Sequence, residues 1–181
     1  MIARWADVAT ERKSILLIDD DDSLRRVVEY NLREEGYDVV MAAGGEEGLR
    51  LFHDRAVDLV LTDIRMPEMD GLDLLARLKA MQPDLPVVLL TAHGTISSAV
   101  EAMKLGAFDY LTKPFDRDRL RATVRKALDM AALATENRQL RQVVAERFSF
   151  ASMIAGSAAL RKASMMLWRC STLTPPWIIT S

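Results

Sequence analysis

The sequence holds a single cysteine, Cys170. No disulfide can form within the chain, which excludes a stapled secreted scaffold and makes the cytoplasm the default location. No apolar run approaches the roughly 18 to 20 residues that cross a bilayer. The stretch from Met1 to Lys13 mixes charges throughout and lacks the apolar core of a signal peptide. Net charge is also scarce, at −2, so the chain carries no electrostatic footprint for nucleic acid or an anionic membrane. No Gly-x-x-x-x-Gly-Lys-[Ser/Thr] occurs and the last glycine is Gly156. Without that phosphate-cradling loop there is no ATP hydrolysis by that route.

What is present is ordinary for a globular protein: 181 residues, 50% hydrophobic and 28% charged. That is enough for one well-cored domain plus an appendage. Short apolar runs at 14–19, 37–42, 57–62, 86–91 and 108–112 alternate with amphipathic segments near 22–35, 45–53, 72–80 and 95–105. A fifth helical pattern begins at 116. This rhythm predicts an α/β fold, a parallel sheet covered by helices on both faces. Right-handed crossovers reduce it to a doubly wound five-stranded sheet, most simply in order 2-1-3-4-5.

In that order the first and third strands flank the crevice where open α/β sheets bind ligands. The third ends in Asp63, and the first runs into four acids, Asp19 to Asp22. Asp21 and Asp22 read as a solvated helix start, with Asp22 or Ser23 as N-cap. Asp19, Asp20 and Asp63 together make a compact pocket of hard oxygens suited to Mg²⁺. A carboxylate in such a pocket can act as a nucleophile toward a phosphoryl group while a metal ion neutralises the charge between them. Thr91 ends the fourth strand, where its hydroxyl can meet a phosphoryl oxygen. Lys113 ends the fifth, where its ammonium can offset another. His53 and His93 read as surface or loop histidines rather than ligands.

The spacing of Asp19-Asp20, Asp63, Thr91-Ala92 and Lys113-Pro114-Phe115 resembles the receiver domain of two-component response regulators. The likeness runs from residue 14 to about 128. It includes Met66-Pro67-Glu68-Met69-Asp70-Gly71 and Gly106-Ala107-Phe108-Asp109-Tyr110. It implies a flavodoxin-like (βα)5 fold in which Asp63 accepts a phosphoryl group from the phosphohistidine of a sensor histidine kinase. It further implies Mg²⁺ held by Asp20, Asp63 and the backbone carbonyl of Arg65, with Asp19 acting through water. The Lys113-Pro114 bond is usually cis in that family. Thr91 and Tyr110 match the hydroxyl and aromatic that move together on phosphorylation, repacking the face built from the fourth helix, fifth strand and fifth helix. Phosphotransfer and self-dephosphorylation are then the only chemistry expected, in a signalling protein rather than an enzyme.

From Asp116 to Arg147 there is no glycine or proline, so the last helix should run on past the domain. Met130, Leu133, Asn137, Leu140 and Val144 alternate three- and four-residue spacing, an a/d seam of about two heptads. A homodimer is expected through this helix or through the switch face; an exposed amphipathic linker is the other reading. Glu136 to Arg141, followed by Phe148 and Met153 to Ser157, is similar to the linker of NtrC-like activators, which leads there into an AAA+ ATPase. The expected organisation is an N-terminal extension (1–13), a receiver (14–128), a helical linker (129–147) and a remnant of the ATPase start with an irregular tail (148–181). The tail from about Trp168 fits that family poorly and suggests truncation or a frame change. No ATPase or DNA-reading output is expected in this chain. Two alternatives stand beside the receiver: an aspartate-nucleophile phosphatase, which typically has a second Asp where this chain has Arg65, and a dimerisation module indifferent to phosphorylation.

Overall fold

Five apolar segments of four or five residues can be buried on both faces only if helices cover both sides of the sheet they form. The computed structural model, which describes residues 12–92 and 96–142, has that arrangement. The strands β1 (Ser14–Ile18), β2 (Asp38–Ala42), β3 (Leu59–Asp63), β4 (Val87–Thr91) and β5 (Asp109–Thr112) alternate with α1 (Asp22–Glu34), α2 (Gly45–Asp54), α3 (Gly71–Met81) and α4 (Ile96–Lys104). Residues 117–142 are helical and complete the series as α5. All pairings are parallel and the order is β2-β1-β3-β4-β5, as the sequence pattern predicts.

The period-two alternation of strand side chains divides the core. Leu16, Ile18, Val60, Val87 and Leu89 pack with Phe52 of α2, Leu74, Leu75 and Leu78 of α3 and Ala102 of α4. Their neighbours Ile15, Leu17, Leu59, Leu61, Val88 and Leu90 face the other way, onto Val28 and Leu32 of α1 and Leu120, Val124, Ala127 and Leu128 of α5. The last set falls at helical i, i+4, i+7, i+8 spacing, so α5 presents one apolar stripe. The register then aligns the carboxyl ends. Ile18 pairs with Thr62, Asp63 with Leu90, and Thr91 with Thr112, which leaves Asp19, Asp63, Thr91 and Lys113 along one edge.

The start of α1 corrects the expected cap. Asp21 is the N-cap, its carboxylate accepting from Ser23 N at 2.9 Å and Leu24 N at 3.1 Å. Asp22 is instead the first helical residue, three and four positions before Arg25 and Arg26. It pairs with both at 3.0 Å, spacing that only a residue inside the helix can use. The Lys113–Pro114 peptide is cis.

Packing divides the chain into one unit ending at Ala134 and another from Thr135. In the second, the described residues 135–142 are helical and exposed. Among the described residues no helix is long and apolar enough to cross a membrane. The expectations for His93, for Val144, for most of the N-terminal extension and for the 148–181 stretch lie outside the described residues.

The join between β3 and α3 leaves no room for a side chain at Gly71. Asp70 caps α3 by accepting from Leu72 N at 2.8 Å, and Gly71 N donates to Ile64 O at 2.7 Å. A Cβ on Gly71 would lie 2.2 Å from the Asp63 carbonyl oxygen and 2.8 Å from Ile64 Cα. Both are backbone atoms that cannot swing aside. Gly71→Ala should therefore destabilise the domain by about 1–3 kcal/mol, the usual range for overpacking. Denaturant unfolding checks this; a loss under about 0.5 kcal/mol, as at unremarkable surface positions, would contradict it.

Candidate functional site

The crevice at the carboxyl edge is built from strand-end residues whose backbones the ladder already fixes. Asp63 is the last residue of β3 and only 7% exposed. Its Oδ1 accepts from the N–H of Ile64 at 2.8 Å, and its Oδ2 meets Lys113 Nζ at 3.1 Å. Asp19, one residue past β1, is completely buried. Its Oδ1 accepts from Asp21 N at 3.0 Å and its Oδ2 from Lys113 Nζ at 2.6 Å. Lys113 follows β5 and reaches both acids across the end of β4. Its own N–H donates to the Thr91 carbonyl at 2.6 Å. Thr91, nearly fully buried, lies at that strand end between them.

Asp20 is exposed, yet its carboxylate completes a cluster. One oxygen from each of Asp19, Asp20 and Asp63 can be found within 4.8 Å of the others. Three carboxylates face one ammonium, a local excess of negative charge that a divalent cation would neutralise. The donors are all hard oxygens, and Asp20 stands open to solvent. By this donor chemistry the residues fit Mg²⁺. Arg65 lies in the β3–α3 loop with its side chain exposed. His53 is on the surface of α2, as expected.

Tyr110, in β5, is half-buried and packs against the core under α3 and α4. Its hydroxyl is buried and has no hydrogen-bond partner among the described residues. Leaving such a group unsatisfied costs about 1–3 kcal/mol, so the ring is held by packing against the preference of its polar tip.

Sequence reasoning missed two residues that shape this edge. Gly71 sets how closely α3 approaches the Asp63 backbone. Arg25 turns back from α1, and its guanidinium donates to the backbone carbonyl of Asp19. A Gly after an N-cap Asp, and an Arg six residues past a strand-end Asp, are visible signals, but neither points to a contact without the fold.

Burial raises the Asp63 pKa above the ordinary aspartate value of 3.8, and the Asp19 charge pushes the same way. The hydrogen bond and positive charge of Lys113, and the Ile64 N–H, pull it down without cancelling the rise. The native state thus holds the Asp63 proton more tightly than the unfolded chain does. This contribution to stability is complete below the unfolded value and is lost as pH rises through the elevated native one. At neutral pH the ionised carboxylate is a net burden on the fold. Asp63→Asn should therefore melt higher than wild type at pH 7, with the gap closing below pH 3.8. Thermal melts across that range test this, and an equal or lower midpoint at pH 7 would refute it.

Comparison with known proteins agrees with this geometry. The family described as "Response regulator receiver domain" matches residues 15–125. The chain is 46% identical over 130 residues to the transcriptional regulatory protein GlrR of Escherichia coli K12, covering 72% of this chain and 29% of that protein. With the regulatory protein AtoC of the same strain it shares 38% identity over 146 residues, 81% of this chain and 32% of that one. It thus spans less than a third of these curated relatives. Among solved structures, NtrX from Brucella abortus in complex with ADP superposes with a TM-score of 0.69 at 37% identity, covering 71% of this chain and 30% of that one. A response regulator receiver domain protein from Clostridium thermocellum gives 0.65 at 35% identity, covering 67% and 98%. The chain belongs to the response-regulator receiver family of two-component signalling, with relatives among the NtrC-like activators.

Proposed function

We propose that this chain is a cytoplasmic phosphoacceptor, taking a phosphoryl group from a histidine-kinase phosphohistidine onto Asp63. The observation that carries this reading is the shared grip of Lys113 on Asp63 and Asp19, at 3.1 and 2.6 Å, beside the open carboxylate of Asp20. A carboxylate oxygen of Asp63 forms the new O–P bond as the P–N bond to the donor imidazole breaks. Asp19, Asp20 and Asp63, with the Arg65 backbone carbonyl, would hold Mg²⁺. When bound, that ion offsets the charge between carboxylate and phosphoryl oxygens. Lys113 supplies the second positive charge and already lies against the nucleophile. Arg65 stands where a phosphatase of the aspartate-nucleophile type typically has its second acid, so turnover of phosphate esters is not part of this reading.

The readout follows from Thr91 and Tyr110. A phosphoryl group brings roughly −1.5 to −2 charges and three acceptor oxygens. The Thr91 hydroxyl turns to one of them, and the Tyr110 ring responds in the space behind it. The Tyr110 hydroxyl, buried with no partner among the described residues, supports this role, because a ring that bears a cost where it stands is more easily biased toward another position. The face that repacks includes α4, whose Val100 and Met103 are exposed. Along α5, Met130, Leu133 and Leu140 are exposed as well. Large apolar side chains at a/d spacing favour a homodimer through this helix. Activities of the longer relatives beyond their receiver are not assigned to this chain.

Incubation with Mg²⁺ and acetyl phosphate should add one hydroxylamine-labile phosphoryl group per chain, detected by intact mass, and Asp63→Ala should abolish it. An unlabelled wild type, or a labelled Asp63→Ala, would end the proposal. For the dimer, light scattering should give twice the chain mass, and Leu133→Glu combined with Leu140→Glu should return it to one while labelling persists. A wild-type monomer, both with and without beryllofluoride, would remove the dimer.

A further inference from the structure

Four consecutive acids, Asp19 to Asp22, repel one another, yet the turn they form must keep Asp19 and Asp20 aimed at Asp63. Asp19 is held at every polar group. Its N–H donates to the Ala42 carbonyl at 3.2 Å, and its carboxylate is taken by Asp21 N and Lys113. Its carbonyl has left the sheet ladder, and there the Arg25 guanidinium meets it through Nη1. Nη2 of the same group pairs with Asp22 Oδ1 at 3.0 Å. The Arg25 side chain is only 12% exposed, unusual for a residue one turn into a surface helix. One fork thus ties both ends of the acidic turn together.

The consequence falls on Asp20. Among the described residues its carboxylate makes no hydrogen bond or ion pair, so only its backbone fixes the point from which the side chain reaches toward Asp63. A peptide unit is planar. Fixing the Asp19 carbonyl therefore fixes the orientation of the peptide plane that leads to Asp20 N and Cα. We propose that Arg25 is a positioning residue for the cation site: by holding the Asp19–Asp20 peptide plane it aims the Asp20 carboxylate at Asp63. This rests on the reading that the acids bind Mg²⁺. Groups that orient metal ligands from behind are worth about 10- to 100-fold in affinity when removed.

A second role for Arg25 makes the opposite prediction, which gives the test its sign. Its positive charge stands beside an acidic cluster and should repel a divalent cation, so if charge dominates, removing it tightens Mg²⁺ binding. If positioning dominates, removing it weakens binding. A purely helical role, the Arg25–Asp22 pair, would contribute only to the helix and leave Mg²⁺ affinity unchanged. Isothermal titration of the full chain with MgCl2 separates the three. Arg25→Met should raise the Mg²⁺ Kd about tenfold, and Arg25→Lys, which keeps the charge but not the two-pronged fork, should fall between. A tighter or unchanged Kd in Arg25→Met overturns the proposal. Should that variant fail to fold by circular dichroism, an Arg25→Lys protein with wild-type Kd overturns it equally. Wild type and Asp20→Asn are titrated alongside. If wild type takes up no Mg²⁺, the cation reading itself has failed and the role of Arg25 falls with it, an outcome distinct from a wild type that binds and an Arg25→Met that binds equally well.

Discussion

The ammonium of Lys113, set between the carboxylates of Asp19 and Asp63, is the interaction on which the rest of the site depends. Two carboxyl groups, one completely buried and the other nearly so, are costly to place side by side without a counter-charge, because desolvation alone costs several kcal/mol per buried ion. Lys113 provides it at 2.6 and 3.1 Å, and it does so from two strands away. β5 is separated from β3 by β4, so the lysine stem must pass the end of β4. That route is kept open because β4 ends in Thr91, a small residue whose carbonyl also anchors the Lys113 backbone. The strand order and the site chemistry are therefore one constraint. A sheet with β5 elsewhere would leave the acids uncompensated.

The compensation is incomplete, and this is what makes the arrangement chemically useful. Asp63 retains a raised pKa because burial outweighs Lys113. A fully satisfied carboxylate, held by several donors and sealed, would be stable and inert. Asp63 instead has a lysine that it shares and a neighbour of the same sign. In the proposed phosphoacceptor role, a cation and a phosphoryl group would offer it what the fold withholds. Stability given up at a working site is a common pattern, and here the residues that bear it can be named. Asp63 carries an ionisation that the fold disfavours, and Tyr110 carries a buried hydroxyl with no partner among the described residues.

Much of this was legible in the sequence because the signals are local. Apolar runs such as Leu59 to Leu61, with helices between them, dictate a parallel sheet, and its order follows from handedness. Once the order is known, polar residues that end the runs must share an edge, so Asp19, Asp63, Thr91 and Lys113 could be grouped before any coordinate. The receiver likeness supplied the part that spacing does not reach, such as the role of Tyr110. What escaped is what depends on three-dimensional approach. Asp21 rather than Asp22 caps α1, since a run of four acids offers several equivalent caps and the point where the backbone turns helical, which the sequence does not mark, decides among them. Gly71 looks like a turn residue, and its contact with the Asp63 carbonyl depends on how α3 returns to β3. The contact of Arg25 with the Asp19 carbonyl depends on the fold that brings α1 back against the end of β1.

The helix that ends the domain offers the proposed switch a path from the strand ends to the surface. α5 begins shortly after Lys113 and is buried through Leu120, Val124, Ala127 and Leu128. Two residues on, at Met130, its apolar side chains become exposed. Its core stripe and the exposed Met130 and Leu133 thus belong to one helix. In the proposed switch, Lys113 and Thr91 respond to the phosphoryl group at the start of that path, and Tyr110 lies on the strand that leads into it. The Lys113 backbone is tied to Thr91, so neither can move far alone. This tie gives the coupling a physical form. In that proposal, displacement at the strand ends would be shared between β4 and β5 before reaching α5, and the apolar stripe that holds the helix to the sheet would limit its response to discrete repackings rather than a continuous drift.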